Sequence, residues 1–487
     1  MRNKTRKGDC MMKSIVEEKL VSFKSLEQKI FAYVCELGRE ITRIMLENYD
    51  VELSEERDRS RYRDKGKRST TIKTVYGEVT YARRVYQTKL ENGRNAHVYL
   101  LDEAMHMEKI GLISTNLAEK IAMIVTESPY RVTAETISET CGQSISHGGV
   151  WNLVQRLGER ISKEEEYAVK QMESGQAEGQ REIPVLFEEM DGVWLCMQGK
   201  DHKKRKKQEL KVFTMYEGWE VWNKKNRLVN KTMLAGMEKS SRFHEKREAL
   251  IEKTYNVDEI RQRVLNGDGG SWIREPYDPE TIFQLDRFHI YQEIKRKLKE
   301  KEARKAVTEL FEAKQIDRML EYIRIYADSV AGEDETDKRS RDAGKLLEYL
   351  SNNKEGLLPW QERGRKIPEA KPGIVYKNMG VQENQNCTVV TLRMKHRRMR
   401  WSENGANNMA KALYRKENRE LIETIERYTD GLVFTMQMQE AVKCLSAAKA
   451  PKKDGKGNPY AEIIRHHMPL LDALQTASRK AFREAFV

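Results

Sequence analysis

The hydrophobic pattern near the N-terminus is first helical and then alternating. Residues 12–57 repeat apolar side chains at helical spacing, which predicts a long helix. A basic stretch follows at 60–68. Residues 70–87 then alternate β-branched and aromatic residues with polar ones about Gly77, which predicts a β-hairpin. Because its polar positions are partly basic, the hairpin is interpreted either as a grip on a phosphate backbone or as a well-solvated sheet edge.

The next region, from about 108 to 172, returns to a helical pattern. Within it, residues 129–161 predict a helix, a tight turn at Gly142 and a second helix capped by Ser146. The inner face of that second helix is predicted to carry Val150, Trp151, Val154 and Leu157. Two interpretations remain open: a helix-turn-helix whose second helix enters the major groove of DNA, or an ordinary helical hairpin.

From about 181 to 292 the pattern is that of strands. The order strand, strand, strand, helix, strand is the one expected of an RNase H-like α/β core. The predicted strands cover 183–187, 209–220, 227–234, 259–268 and 281–285, with a helix near 241–255. Residues 290–365 are highly charged and helical, which predicts an insertion between the sheet and a last core helix that begins near Val381.

These patterns predict an α/β fold class. An RNase H-like catalytic core with a helical insertion is preceded by a mainly helical N-terminal DNA-binding region with a β-hairpin. The predicted regions are an N-terminal helical region with the hairpin (1–105), a helical, helix-turn-helix-like DNA-binding domain (106–180), the first part of the core (181–292), the helical insertion (293–375), the last part of the core (376–450) and a basic C-terminal tail (451–487).

The charge of the chain is basic, as is common among nucleic-acid-binding proteins. The chain has 487 residues, a formal charge of +13 and 34% charged residues, so several domains and a polyanionic partner are expected. A soluble basic protein without a nucleic-acid partner is the alternative. The six cysteines show no CxxC pair or zinc spacing, and no apolar run approaches a membrane span or signal peptide. We therefore expect a cytoplasmic, nucleoid-associated protein with no membrane partner.

Three acidic residues stand in settings that suit metal chemistry. Asp191 and Asp268 each precede a glycine after a β-rich run, and Glu383 opens a helical pattern. Phosphodiester chemistry uses two Mg²⁺ ions roughly 4 Å apart, held by carboxylate oxygens. Each residue alone also has an ordinary explanation, since Asp-Gly is a common turn and a glutamate at a helix start stabilises the helix dipole.

Several motifs carry a resemblance to a known family. They are TVYGEVTYARRVY, EEMDGVW, GDGGSWI, LDRFHI and RMKHRRMRWSENGANNMAKAL. The sequence resembles bacterial insertion-sequence transposases of the ISLre type, which are similar to the mutator-like branch of the DDE transposases. The resemblance spans about residues 60 to 480. It implies an RNase H-like core, a Mg²⁺-binding DDE triad and cutting and joining of DNA at the element's ends.

By this resemblance, individual residues acquire expected roles. Asp191 matches the first Asp, Asp268 the second, and Glu383 the glutamate of an E-x-x-N pattern that Asn386 completes. Asp286 and His289 match the C/D-x-x-H signature, which would order the scissile strand or support the metal ligands. Asp286 is the alternative to Asp268, and Glu403 is the alternative to Glu383. The sequence departs from the family at Asn384, where relatives often have glycine.

Two basic runs are the predicted DNA contacts beside the site. The first, at 200–211, joins two predicted strands, and the second, at 393–400, follows Glu383. Each run would neutralise phosphates, whereas a solvated loop is the alternative for the first. Trp401 is either a platform for a splayed base or a core residue. The predicted DNA-binding residues are Lys203, Lys204, Arg205, Arg397, Arg398 and Arg400.

The function implied is that of a DDE transposase acting on the inverted-repeat ends of an insertion sequence and on target DNA. We expect two Mg²⁺ ions, for which Mn²⁺ could substitute, and a homo-oligomer on DNA, since two DNA ends must be positioned together. The alternatives are a non-mobilising nuclease with the same core and a catalytically inactive DNA-binding regulator.

Overall fold

The computed structural model describes residues 22–90, 92–105, 113–274, 280–331 and 337–429. The chain combines helices with three β-sheets: one of three strands, one of five strands and one of two strands within these residues. In the described part of the chain, none of the helices combines the length and the apolar character that a membrane crossing requires.

The N-terminal region is a long helix packed on a small antiparallel sheet. The elements are α1 (Phe23–Glu56), β1 (Arg63–Thr74), β2 (Gly77–Lys89), β3 (Asn95–Val98) and α2 (Leu100–Ala104). The predicted hairpin is confirmed, since β1 and β2 pair antiparallel. The third strand, β3, was not predicted. The part of the predicted helix that precedes residue 22 lies outside the described residues. Two of the hairpin's basic residues are engaged in the fold, because Arg83 pairs with Asp102 at 2.6 Å and Arg84 with Asp50 at 2.8 Å.

The next helices are α3 (Thr115–Val125), α4 (Tyr130–Thr140) and α5 (His147–Glu173). The predicted cap is confirmed, because the Ser146 side chain accepts a hydrogen bond from the Gly149 backbone. The turn needs glycine at 142, where a Cβ would lie 2.5 Å from the Tyr76 carbonyl oxygen. Val150, Val154 and Leu157 face inward as predicted, but Trp151 is 43% exposed, so its predicted position on the inner face is wrong.

The central sheet is formed by five of the strands that lie between residues 185 and 285. The elements of this region are β4 (Val185–Cys196), α6 (Gly199–Lys204), β5 (Lys207–Tyr216), β6 (Trp219–Trp222), β7 (Lys225–Leu228), β8 (Thr232–Gly236), α7 (Ser240–Thr254), β9 (Gln262–Gly267), α8 (Ser271–Arg274) and β10 (Ile282–Leu285). The strand order is β10-β9-β4-β5-β8. β4 pairs antiparallel with β5 and parallel with β9, β5 pairs antiparallel with β8, and β9 pairs parallel with β10. The predicted strand at 227–234 is in fact two strands, β7 and β8, in different sheets.

One expectation about β4 is wrong. The sequence predicted that the strand ends at Asp191, but β4 continues to Cys196, with Asp191 opposite Val212 and Gly192 opposite Lys211 on β5. The glycine serves close packing here, since a Cβ on Gly192 would overlap the carboxylate of Glu209. Asp191 therefore projects from within a central strand: it is paired with β5 on one side and lies one residue beyond Met190, the last residue of β4 paired with β9.

The helical insertion has a hydrophobic core of its own. After β10 come α9 (Arg287–Lys297), α10 (Lys301–Glu312), α11 (Ile316–Ala331), α12 (Lys338–Asn352) and two short 3₁₀ helices, Lys354–Leu357 and Trp360–Glu362. Ile294, Val307, Ile323 and Leu346 belong to one buried cluster. The predicted helical character of this region is confirmed.

The last described elements return to the sheet. α13 (Gln382–Gln385) continues through a π-helical stretch (Asn386–Thr391) into α14 (Leu392–Met394), followed by a 3₁₀ turn (His396–Arg398), α15 (Glu403–Glu417) and α16 (Leu421–Thr429). One buried cluster joins Val154 of α5, Met190 of β4 and Leu413 of α15. The region predicted as a separate domain at 106–180 therefore shares the core of the sheet. The predicted tail at 451–487 lies outside the described residues.

Candidate metal centre

The strongest candidate site lies where β4, α9 and α13 meet. Asp191 projects from β4, His289 from the first turns of α9, and Glu383 from the first turn of α13. One potential ligand atom from each of these three side chains lies within 4.8 Å of the other two. Three segments that are far apart along the chain therefore converge, and two of the three predicted carboxylates are brought together.

Asp191 is held by the helix that carries Glu383. The Asn386 amide donates a 2.7 Å hydrogen bond to Asp191 Oδ2, and His289 Nε2 lies 3.6 Å from the same oxygen. Asn386 itself is fixed by Gln382, which donates to its side-chain oxygen at 2.9 Å. The arrangement matches the supporting role expected for Asn386.

Asp268, the second predicted Asp, is not part of this group of three. It follows β9 directly, and its Oδ1 accepts a 2.8 Å hydrogen bond from the Gly270 backbone. Asp268 nevertheless interacts electrostatically with the site, because its charge, together with those of Asp191 and Asp286, raises the pKa of His289. Asp268 therefore stands beside the cluster with its carboxylate turned onto its own loop.

Asp286 supports the site by fixing the start of α9, the helix that carries His289. It is buried, caps α9 by accepting a 2.7 Å hydrogen bond from the Phe288 backbone, and accepts a second bond of 2.7 Å from Asn266. Of the two roles left open for the Asp286–His289 pair, this geometry favours support of the ligands for Asp286. Glu403, the alternative to Glu383, is exposed at the start of α15 and is not in the group of three.

Sequence reasoning missed Glu189, which lies two residues before Asp191 and is completely buried. Its carboxylate accepts hydrogen bonds from Tyr216, from Asn266 and from the backbone that begins α13. The signal was present, since two adjacent glutamates interrupt the apolar run VLFEEM of a central strand. Buried acidic residues of this kind are rarely tolerated unless they are paired or fully hydrogen-bonded.

The electrostatics of the site favour an added cation. Burial, followed by the charge of Asp191, raises the pKa of Glu383, and burial raises the pKa of Asp268. Burial opposes protonation of His289, but the neighbouring carboxylates of Asp191, Asp286 and Asp268 outweigh it and raise its pKa to about 9. The part of these pKa shifts that comes from neighbouring carboxylates reflects crowded negative charge, which a divalent cation would relieve.

The donor set fits a divalent cation. Two carboxylates supply the oxygen ligands that Mg²⁺ and Mn²⁺ accept, while an imidazole suits Mn²⁺ and other transition metals better than Mg²⁺. The three residues would hold one ion between them. The second ion that the sequence predicts finds no further ligand within this group of three, to which Asp268 does not belong.

The two predicted basic runs are neighbours in space. The Trp401 backbone hydrogen-bonds to Cys196 and Gln198, and Glu403 is tied to Asp201, so the loop after α14 lies against α6. All six predicted DNA-binding residues are exposed: Lys203, Lys204, Arg205, Arg397, Arg398 and Arg400. We call this set the basic surface.

Trp401 is a core residue. Its side chain is 6% exposed, and its indole nitrogen donates to the Met394 carbonyl at 2.8 Å. Trp151, in contrast, is 43% exposed and lines a polar groove of about 520 Å³ with Arg156, Asp201 and Asn404. The base-stacking role considered for Trp401 is therefore wrong, because its ring is buried.

Comparison with known proteins gives a family. A family model described as an uncharacterised protein family, UPF0236, matches residues 16–427. The chain belongs to the UPF0236 family. It is also similar to a "UPF0236 protein in vanSb 3'region" of Streptococcus gallolyticus, with 23% identity over 355 residues, covering 70% of this chain and 71% of that protein. Asp191, His289 and Glu383 all lie within the part that the UPF0236 model matches.

Proposed function

We propose that this UPF0236 chain is a divalent-metal-dependent DDE transposase of the ISLre type, with an RNase H-like core. The observation that carries the proposal is the convergence of Asp191, Glu383 and His289 to within 4.8 Å at the central strand of the sheet. The fold supports it, because three antiparallel strands, a helix and two parallel strands form the order β10-β9-β4-β5-β8 expected of such a core. Asp191 then occupies the central strand, where the first catalytic carboxylate is expected.

The chain's own residues suggest how the site works. Asp191 and Glu383 supply the ligand oxygens, Asn386 and Asp286 fix their orientation, and His289 contributes a ligand nitrogen or a positive charge toward the scissile phosphate. A divalent cation, Mg²⁺ or Mn²⁺, would supply neutralisation of the charge on the phosphate and activation of the attacking oxygen. The basic surface would hold the DNA backbone nearby, and a homo-oligomer would bring two element ends together.

The test compares wild-type protein with Asp191→Ala on DNA carrying the element's ends. Asp191→Ala should bind DNA normally but cut at least about 1,000-fold more slowly, since the metal is worth several kcal/mol of the barrier. The matched control is Asp328→Ala, an exposed aspartate on α11 of the helical insertion that is outside the metal-binding group. Cleavage near the wild-type rate in Asp191→Ala would remove Asp191 from the mechanism.

Paired end sequences distinguish the remaining alternatives. Strand transfer into target DNA is the result expected of a transposase. Cleavage without joining would favour a non-mobilising nuclease, and DNA binding that is equally strong in EDTA without any cutting would favour an inactive regulator.

A further inference from the structure

A single buried carboxylate connects all three segments of the candidate metal centre. Glu189 Oε1 accepts hydrogen bonds from Tyr216 at 2.6 Å and from the backbone N–H groups of Gly380 at 3.1 Å and Val381 at 3.2 Å. Its Oε2 accepts from Asn266 at 3.0 Å and from the Gln382 backbone at 3.1 Å. Every donor in this shell points at one side chain that has no exposed surface.

The backbone contacts fix the start of α13. The first N–H groups of a helix have no partner within the helix, and a carboxylate at that position satisfies them and complements the helix dipole. Glu189 therefore sets where the helix begins, and Glu383 lies in its first turn.

The side-chain contacts reach the other two ligands. Asn266 lies directly opposite Glu189 in the parallel pairing of β4 and β9, and its amide also donates to Asp286, the cap of the helix that carries His289. Asp191 lies two residues along the same strand, and so on the same face of the sheet as Glu189. Asp191 is thus connected to Glu189 along β4, Glu383 through the backbone at the start of α13, and His289 through Asn266 and Asp286.

We infer that Glu189 is the positioning residue of the metal centre: it locks β4, α9 and α13 into the register in which Asp191, His289 and Glu383 converge. This inference rests on the proposed function for the identity of the site. Its consequence is specific, because a glutamine at 189 would present an NH₂ group to a shell made only of donors. The Glu189→Gln substitution should therefore leave the metal ligands less firmly positioned and weaken metal binding, in addition to any loss of stability.

The neighbouring residue provides a matched control. Glu188 is equally buried on the same strand, but it points to the opposite face and pairs with Arg263 at 2.6 Å. Both Glu188→Gln and Glu189→Gln remove one charge from the core, and both are expected to lower the free energy of unfolding. Only Glu189→Gln replaces an acceptor oxygen at the start of α13 by a donor group.

The experiment measures Mn²⁺ affinity by calorimetry and backbone hydrogen exchange in the full chain. Glu189→Gln should raise the Kd for Mn²⁺ roughly 10- to 100-fold, as expected for a residue that orients metal ligands. It should also accelerate exchange at residues 380–385. Glu188→Gln should leave both quantities near wild type. Tyr216→Phe, which removes one donor to Glu189, should shift both in the same direction by less, and serves if Glu189→Gln does not fold.

Two results would overturn the inference alone: wild-type Mn²⁺ affinity and exchange in Glu189→Gln, or an equal loss of affinity in Glu188→Gln. A third result would overturn the proposed function as well. If wild-type protein binds Mn²⁺ no better than Asp191→Asn does, the proposed function fails, and the inference about Glu189 fails with it.

Discussion

His289 carries a charge that depends on the carboxylates around it. Its side chain is 22% exposed and lies 3.6 Å from Asp191, and the nearby acidic residues raise its pKa from an ordinary 6.5 to about 9. The protonated imidazole therefore compensates part of the negative charge when the protein is free of metal. A bound cation and the His289 proton compete for the same cluster.

A pH dependence of stability follows from this shift. Because the pKa is higher in the folded state than in the unfolded one, the stabilisation is complete below about pH 6.5 and is lost as the pH rises through about 9. Its size is at most about 3 kcal/mol. In EDTA, the free energy of urea unfolding of the wild type should fall over this window relative to that of His289→Gln. Parallel pH profiles for the two proteins would contradict the assignment.

Sequence reasoning placed Asp191 and Glu383 at the site and Asn386 and Asp286 beside it, but it gave His289 only a supporting role and did not find Glu189. Asp191 and Glu383 stand in local patterns, beside a glycine in a strand and at a helix start, that a single sequence displays. Glu189 was missed because its hydrogen-bond partners lie far along the chain: Tyr216, Asn266 and Gly380 are 27, 77 and 191 residues away. The two tryptophans show the same limit: Trp151 directly follows the buried stripe of α5, and Trp401 lies in a basic stretch without periodicity.

At the scale of elements, α5 is the helix whose role differs most from expectation. It was predicted as the second helix of a helix-turn-helix-like domain. Its cap agrees, but the helix runs on to Glu173, beyond the predicted segment at 129–161, and much of it packs into the core of the sheet. At Gly158 the helix approaches α15 so closely that a Cβ would overlap the Cα of Asn408. Trp151 itself stays exposed.

Two glycines of α5 test this packing. Gly158→Ala should destabilise the protein by about 1–3 kcal/mol, because the added methyl group overpacks the contact with Asn408. Gly148→Ala, near the start of the same helix, meets no atom closer than 3.7 Å and should be neutral or stabilising by up to about 1 kcal/mol. Chemical denaturation measures both changes. Equal stabilities for the two variants would show that α5 is not held against α15 as described.

The strands were largely predictable because buried β-structure has a short-range signature. β5, β9 and β10 agree with their predicted positions to within a few residues. β4 was cut short in the prediction because Asp-Gly is also the signature of a turn. Only the pairing with β5, and the Glu189-to-Asn266 register with β9, identify it as a continuous central strand.

Across the whole molecule, positive charge is gathered where two distant segments meet. Lys203, Lys204 and Arg205 follow the first core strand, and the arginines after α14 come from near the end of the described chain. The Trp401 backbone joins them by hydrogen bonds to Cys196 and Gln198. This junction makes one basic surface from two runs that the sequence displays separately.

Charge reversal tests the basic surface. The double variant Arg397→Glu with Arg398→Glu should bind DNA more weakly whatever its sequence, and the slope of log Kd against log salt should decrease by about one for each phosphate that the variant no longer neutralises. Arg324→Glu, an exposed arginine of the helical insertion, is the control and should change little. Fluorescence anisotropy at several salt concentrations measures both. An unchanged slope in the double variant would exclude these arginines as phosphate ligands.

The distance along the chain between Glu189 and its backbone partners also bears on how the protein is made. A polypeptide whose synthesis stops before Gly380 contains Asp191 and His289 but lacks both Glu383 and the amides that surround the Glu189 carboxylate. Such a fragment carries a buried anion without its full set of donors, which disfavours folding. Ribosomal products that end early are therefore both ligand-deficient and unstable, so a competent centre arises only when translation has passed α13.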